Sequence, residues 1–192
     1  MTDFFALFAQ PRQPWLDANV LKEKHHDLTR RVHPDVRGEE VLEQFEDINE
    51  AYRILSDPRL RVQHLLALEG NVIPPRDRPL PADLQELFLQ IGTLSQTAQR
   101  LFAKMSDGSS VLTRSLAKTD FLQLQRQTGQ LLEQLSHSYD SCLTELQTLN
   151  EIWKKKQDET VSQLQRLHDR MAYLLRWIAQ LKEMELQLTL RG

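Results

Sequence analysis

The sequence predicts an all-α protein in two modules. A four-helix N-terminal domain (1–70) is joined by a proline-rich linker (71–82) to an antiparallel three-helix coiled-coil bundle (83–190). Three observations predict this. Apolar residues recur at steps of three and four along every long segment, and no segment alternates as a half-buried strand would. Four of the eight prolines fall between Asn71 and Ala82, which marks a stiff, extended connection. Beyond it, three sustained heptad stripes follow one another, the pattern of helices that pack along a shared seam.

The elements follow in order. Phe4, Phe5, Leu7 and Phe8 form a short aromatic first helix, stopped by Pro11 and Pro14. Asp17 is a good N-cap for a second helix. There Ala18, Leu21, His25, Leu28 and Val32 form the inward stripe, while Lys22, His26 and Arg30 share an outward face at i, i+4 and i+8. Pro34 disfavours helical geometry at His33, so this helix should end near Val32. Phe45, Ile48, Tyr52 and Leu55 form the stripe of a third helix. Two matched stripes across a short loop make an antiparallel hairpin, with His33-Pro34-Asp35 on the loop at its tip. Glu39, Glu40, Glu43, Glu46 and Asp47 crowd the start of the third helix, where acidic groups suit the helix dipole. We read them as a solvated helix start. Asp57-Pro58 opens a fourth helix with proline at its first position. Leu60, Leu65, Leu66 and Leu68 give that helix its apolar surface, and Gly70 stops it.

In the second module, Leu84, Leu87, Ile91, Leu94, Ala98, Leu101 and Met105 form the first stripe. Ser106 to Ser110 breaks the chain. The middle helix begins anywhere from Val111 to Phe121, and an early start makes it outrun its first partner. Its stripe is Leu132, Leu135, Tyr139, Cys142, Leu146, Leu149 and Trp153, and that of the last helix is Leu164, Leu167, Met171, Leu174, Ile178 and Leu181. Lysines suit a helix C-terminus and Asp158 an N-cap, so the reversal is placed at Lys154 to Asp158.

An HPD tripeptide after a basic-faced helix resembles the J-domain. The run Phe45-x-x-Ile48-Asn49-x-Ala51-Tyr52-x-x-Leu55-x-x-Pro58-x-x-Arg61-x-x-x-Leu65-Leu66-x-Leu68-x-Gly70 narrows the resemblance to the HscB/Jac-type co-chaperones of iron–sulfur cluster assembly. Asp27, Leu28 and Arg30 before the tripeptide are similar too, as is the opening Phe4 to Phe8. The resemblance covers residues 1–70. It implies docking on a DnaK/HscA-class ATPase chaperone through Lys22, His26, Arg30 and the loop His33, Pro34 and Asp35. Asp35 would accept charge-assisted hydrogen bonds from a chaperone arginine, Pro34 would fix the loop and His33 would anchor it. Val36 follows the tripeptide where relatives often carry a basic residue, and Arg37 stands one step later. For the bundle, the resemblance implies a client surface that holds an iron–sulfur scaffold protein. Leu84 and Phe88 would be its apolar contacts and Tyr173 its aromatic one. The family's glutamates on the first bundle helix are mostly absent here. Phe88 and Leu89 fall off the buried stripe; they either meet a partner or pack on the first domain and linker.

Composition bounds the remaining classes. The net charge of −3 argues against a general nucleic-acid binder. Residues 1–70 hold nine Lys and Arg against thirteen Asp and Glu, so the basic helix face is a local patch on an acidic domain. Cys142 is the single cysteine, which excludes an internal disulfide and a cysteine-rich zinc site. No secretion signal or membrane-length apolar stretch is visible, so no membrane partner is expected and a cytoplasmic protein is. His25 and His26 point in different directions and make poor joint ligands, while His64, His137 and His168 are scattered. No nucleophile–base pair, phosphate loop or metal spacing is present. The expectation is therefore no enzyme and no cofactor. The alternative to the co-chaperone reading is a J-domain protein whose coiled-coil module serves a different client or acts as a structural interaction protein.

Overall fold

A computed structural model describes residues 1–32, 39–71, 80–106, 111–153 and 158–191. Among them the regular elements are all helical: α1 (Phe4–Leu7), α2 (Ala18–Arg31), α3 (Glu39–Ser56), α4 (Pro58–Leu68), a 3₁₀ turn (Ala82–Leu84), α5 (Gln85–Ser106), α6 (Val111–Ile152) and α7 (Asp158–Arg191). The proposed reversal between α6 and α7, the HPD loop and most of the proline-rich linker lie outside the described residues.

The chain divides into two compact units, and each unit takes in two separate stretches of sequence. The first unit is Met1–Arg76 with Leu143–Asp169; the second is Asp77–Cys142 with Arg170–Gly192. The end of α6 and the start of α7 thus pack with the N-terminal helices.

In the first unit, capping chemistry sets the helix limits. Asp3 caps α1 by accepting from the Ala6 amide at 3.2 Å, and Asp17 caps α2 by accepting from Asn19 at 2.8 Å and Val20 at 3.0 Å. Asp57 accepts from Leu60 at 2.9 Å, with Pro58 at the first position of α4. α2 ends at Arg31 with Val32 as its C-cap, as Pro34 requires. Two helices close with the same left-handed turn. After α4, Gly70 (φ +75°) lets Asn71 donate to Leu66 O at 2.8 Å. After α1, Ala9 (φ +49°) lets Gln10 donate to Phe5 O at 2.8 Å.

The core of this unit contains Phe5, Phe8, Leu16, Leu21, Ile48, Ala51, Leu55, Val62, Leu65 and Leu66. Of the expected α2 stripe, Leu21 is buried, His25, Leu28 and Val32 are half-buried, and Ala18 is exposed. Among the described residues, three charged or titratable ones join the core, Arg61 at 2% exposure and His64 and His168 at 7%. Arg61 donates to Pro14 O at 2.8 Å and to Leu55 O at 2.6 Å, and it stacks over Trp15.

In the second unit, α5 and α6 run antiparallel, and α7 returns alongside α5. Gln180 donates to Ser95 at 3.0 Å, and Thr128 on α6 meets the Met184 sulfur at 3.8 Å. The α5 stripe is buried as expected at Leu84, Ile91, Leu94, Ala98 and Leu101. On α6, Phe121, Leu124, Thr128 and Leu131 extend the buried seam toward the helix start. On α7, Trp177 is buried and Ile178 only half-buried, so the seam shifts by one residue there.

The middle helix takes its earliest start, Val111, and is 42 residues long against 22 for α5. At about 1.5 Å per residue, it exceeds its partner by roughly 30 Å. The first unit uses that excess: Leu146 and Leu149 on α6, Trp153 just after it, and Leu164 and Leu167 on α7 are buried.

Candidate functional site

The first candidate surface is built by the α2–α3 hairpin. Lys22, His26 and Arg30 are all exposed on one face of α2, as the i, i+4, i+8 spacing requires. Arg30 pairs with Asp27 at 2.9 Å, and both side chains are more than half exposed. An ion pair this exposed contributes only about 0–1 kcal/mol, so Arg30 can exchange Asp27 for an external carboxylate at little cost.

The inward side of the same helix is pinned to α3 through His25. Its Nε2 lies 3.0 Å from Asn49 Oδ1, and its ring stacks on Tyr52 at 4.2 Å. The Asn49 amide group donates to Phe45 O at 2.9 Å, which leaves Oδ1 as the acceptor facing the histidine. His25 Nε2 therefore carries a hydrogen, and that hydrogen is present in both the neutral and the protonated ring. The basic face and the residues leading into the HPD loop are thus held on one rigid pair of helices. His33, Pro34 and Asp35 lie outside the described residues.

The second candidate surface belongs to the bundle, and the structure corrects one of its members. Leu84 is 1% exposed. It heads the buried α5 stripe at the 3₁₀ turn, so it is a core residue and makes no surface contact. Phe88 and Leu89 are open to solvent at 52% and 67%, and Tyr173 on α7 is half-buried. Trp177 joins them: its ring centroid lies 6.2 Å from Phe88 and 5.7 Å from Tyr173. The Arg176 guanidinium stacks over Tyr173 at 5.8 Å. Arg170 pairs with Asp83 at 3.1 Å beside the start of α5. Large rings on two helices, with one face open and a cation at the edge, suit a partner with an apolar anchor.

Sequence reasoning missed Arg61, His64, Trp177 and the Asn49–His25 bond. A signal existed for the first two: Arg61 and His64 stand in register with Leu65 and Leu68, so both fall on the inward side of α4. For Asn49 the signal was its place one residue after Ile48 and three before Tyr52, beside the buried stripe.

The chain matches the DnaJ domain family over residues 13–64. The co-chaperone protein HscB homolog of Aromatoleum aromaticum is 37% identical over 75 residues, covering 35% of this chain and 42% of that protein. The alignment therefore spans less than half of the relative's length. Among solved structures, the chaperone HscB from Vibrio cholerae superposes with a TM-score of 0.54 at 18% identity, covering 97% of this chain and 99% of that one. The human co-chaperone protein HscB gives 0.56 at 17% identity, covering 95% and 81%. At such identities the structural likeness speaks for the fold. Residues 13–64 thus match the DnaJ domain in sequence, and the fold over nearly the whole chain is similar to that of the HscB structures.

Proposed function

We propose that this chain is a co-chaperone. It binds a DnaK/HscA-class chaperone through Lys22, His26, Arg30 and the loop His33-Pro34-Asp35, stimulates ATP hydrolysis there, and delivers an iron–sulfur cluster scaffold as client. The observation that carries the reading is the exposed basic face of α2, held on a rigid hairpin that leads directly into an intact HPD sequence. In this reading residues 1–70 are the chaperone-facing domain, 71–82 the linker and 83–190 the client-binding bundle. The Phe88 and Tyr173 rings supply the client contacts, with the buried Trp177 ring packed behind them. A cytoplasmic location fits such a role.

The chaperone arm is tested by single-turnover ATPase measurements with the full chain and a DnaK-class partner. Asp35→Asn should abolish stimulation and leave helical circular dichroism unchanged. Removing one partner of a desolvated charge pair costs about 2–5 kcal/mol, so the loss should exceed roughly thirtyfold. An Asp35→Asn variant as active as wild type would overturn the mechanism. The client arm is tested by calorimetry with the source organism's own cluster scaffold. Phe88→Ala combined with Tyr173→Ala should weaken binding while sparing basal ATPase stimulation. If wild type forms no complex at high micromolar concentration, the bundle serves a different client.

A further inference from the structure

The N-terminal segment 3–16 is stitched across the first unit by polar anchors that belong to none of the surfaces above. At its start, the Phe4 amide donates to His64 Nε2 on α4 at 3.2 Å. The imidazole stacks on Phe4 at 4.7 Å and lies near-parallel to Phe5 at 5.8 Å. Asp3 holds Arg12 through two hydrogen bonds of 2.9 and 2.8 Å to one oxygen, and Arg12 reaches Glu69 at 3.9 Å. Further along, Arg12 O accepts from Trp153 Nε1 at 2.9 Å, and the Trp15 amide donates to Asn150 Oδ1 at 3.0 Å. One end of the segment is tied to α4, and the other to the distal turns of α6.

A ring nitrogen that accepts from a backbone amide carries no hydrogen, so His64 is the Nδ1–H tautomer. Protonation puts a hydrogen on Nε2, aimed at the Phe4 amide hydrogen. Donor then faces donor, and the contact must break. His25 provides the contrast, because its Nε2 is the donor and protonation leaves that bond in place.

We propose that His64 is a proton-sensitive latch: its neutral ring holds the 3–16 strap closed, and its protonation releases the strap's start and loosens the tie to Asn150 on α6 and Trp153 just beyond it. Burial acts on the ring first, and charged groups act after it. Asp3 favours the protonated form and Arg12 opposes it. Glu69, on the same side, is engaged with Arg12, and Arg61 on α4 is committed to Pro14 and Leu55. On α3, Glu50 and Arg53 neutralise each other at 2.6 Å.

Burial is the largest influence and places the ring's pKa below its ordinary 6.5. A base with a lowered folded pKa contributes full stability above its unfolded value, and this is lost as the pH falls through the folded value. Closing therefore weakens below pH 6.5.

Hydrogen exchange of the full chain between pH 7.5 and 5, corrected for intrinsic rates, tests this. Protection of the Phe4 to Trp15 amides should fall by up to about tenfold per pH unit below 6.5, the limit for one proton. The α2 amides around His25 should hold. His64→Gln keeps a neutral acceptor, and its strap protection should not change with pH. Flat protection in wild type, or the same acid loss in His64→Gln, overturns the latch. If that variant does not fold, nitrogen NMR of the wild-type ring decides. A bare Nε2 at pH 7.5, with a titration midpoint that tracks strap opening, supports the latch. An Nε2–H tautomer, or a midpoint unrelated to opening, overturns it.

Discussion

Arg61 donates to two main-chain carbonyls from a position that is 2% exposed. Replacing it by methionine keeps much of the volume and removes both donors. Each buried acceptor left without a partner costs about 1–3 kcal/mol. Arg61→Met should therefore destabilise the full chain by roughly 2–5 kcal/mol, read as a lower thermal midpoint. Ala9 makes the opposite case. It occupies a left-handed position (φ +49°) where a β-carbon is strained, while the equivalent turn after α4 uses Gly70. Ala9→Gly relieves that strain at some cost in chain entropy, and should stabilise by about 0.5–1 kcal/mol. Gly70→Ala should destabilise by a similar amount. Asp3 carries an acid dependence. Burial pushes its carboxyl up, yet the Arg12 hydrogen bond, the Ala6 and Phe5 amides and the Arg12 charge together hold it below 3.8. Its contribution is present above pH 3.8 and is lost as the pH falls through the lowered value. Asp3→Asn should flatten the acid limb of a stability-versus-pH curve at that end.

At the scale of elements, the length of α6 is what matters. From Phe121 to Cys142 it lines the bundle of the second unit, and its last turn leads Asn150, and Trp153 just beyond the helix, to the N-terminal strap. Trp153 is 2% exposed. Trp153→Phe keeps most of the apolar area and removes the bond to Arg12 O, and should cost about 1 kcal/mol. Trp153→Ala also opens a cavity and should cost roughly 3–5 kcal/mol. If denaturant titration finds the two variants equal, the ring is not packed as described. The three heptad stripes showed that these helices exist and which face each buries. They did not show where the middle helix begins, because Val111 to Phe121 satisfies helical propensity wherever the start is placed.

At the scale of the whole molecule, the first unit needs residues from two distant stretches of sequence. Residues 1–76 expressed alone should stay helical, since α2, α3 and α4 keep their mutual contacts. They lose Asn150 and Trp153, so the fragment should melt below the first unit of the full chain. For a domain of this size each kcal/mol lost lowers the midpoint by roughly 4–8 °C. A fragment as stable as the intact chain would show that the α6 contacts contribute nothing.

By itself the sequence determined that the protein is all-helical, with ends marked by Asp17, Asp57, Pro34 and Gly70. It also determined the hairpin that leads into His33-Pro34-Asp35 and the basic face of α2. These are legible because caps, breakers and apolar periodicity act within a few residues of chain. The three-dimensional packing was needed to show that Leu84, already on the buried stripe, is closed to a partner and that Trp177 completes the ring cluster with Phe88 and Tyr173. A heptad pattern gives the buried face, but not which of its edge residues a neighbouring helix covers. Helical register places Arg61 and His64 on the inward side of α4, but what offsets the burial of these charged and titratable groups is visible only in the packed fold. Their partners, Pro14, Leu55 and the Phe4 amide, lie up to sixty residues away, and the carbonyls and amide that offset their burial are main-chain groups that no residue type announces.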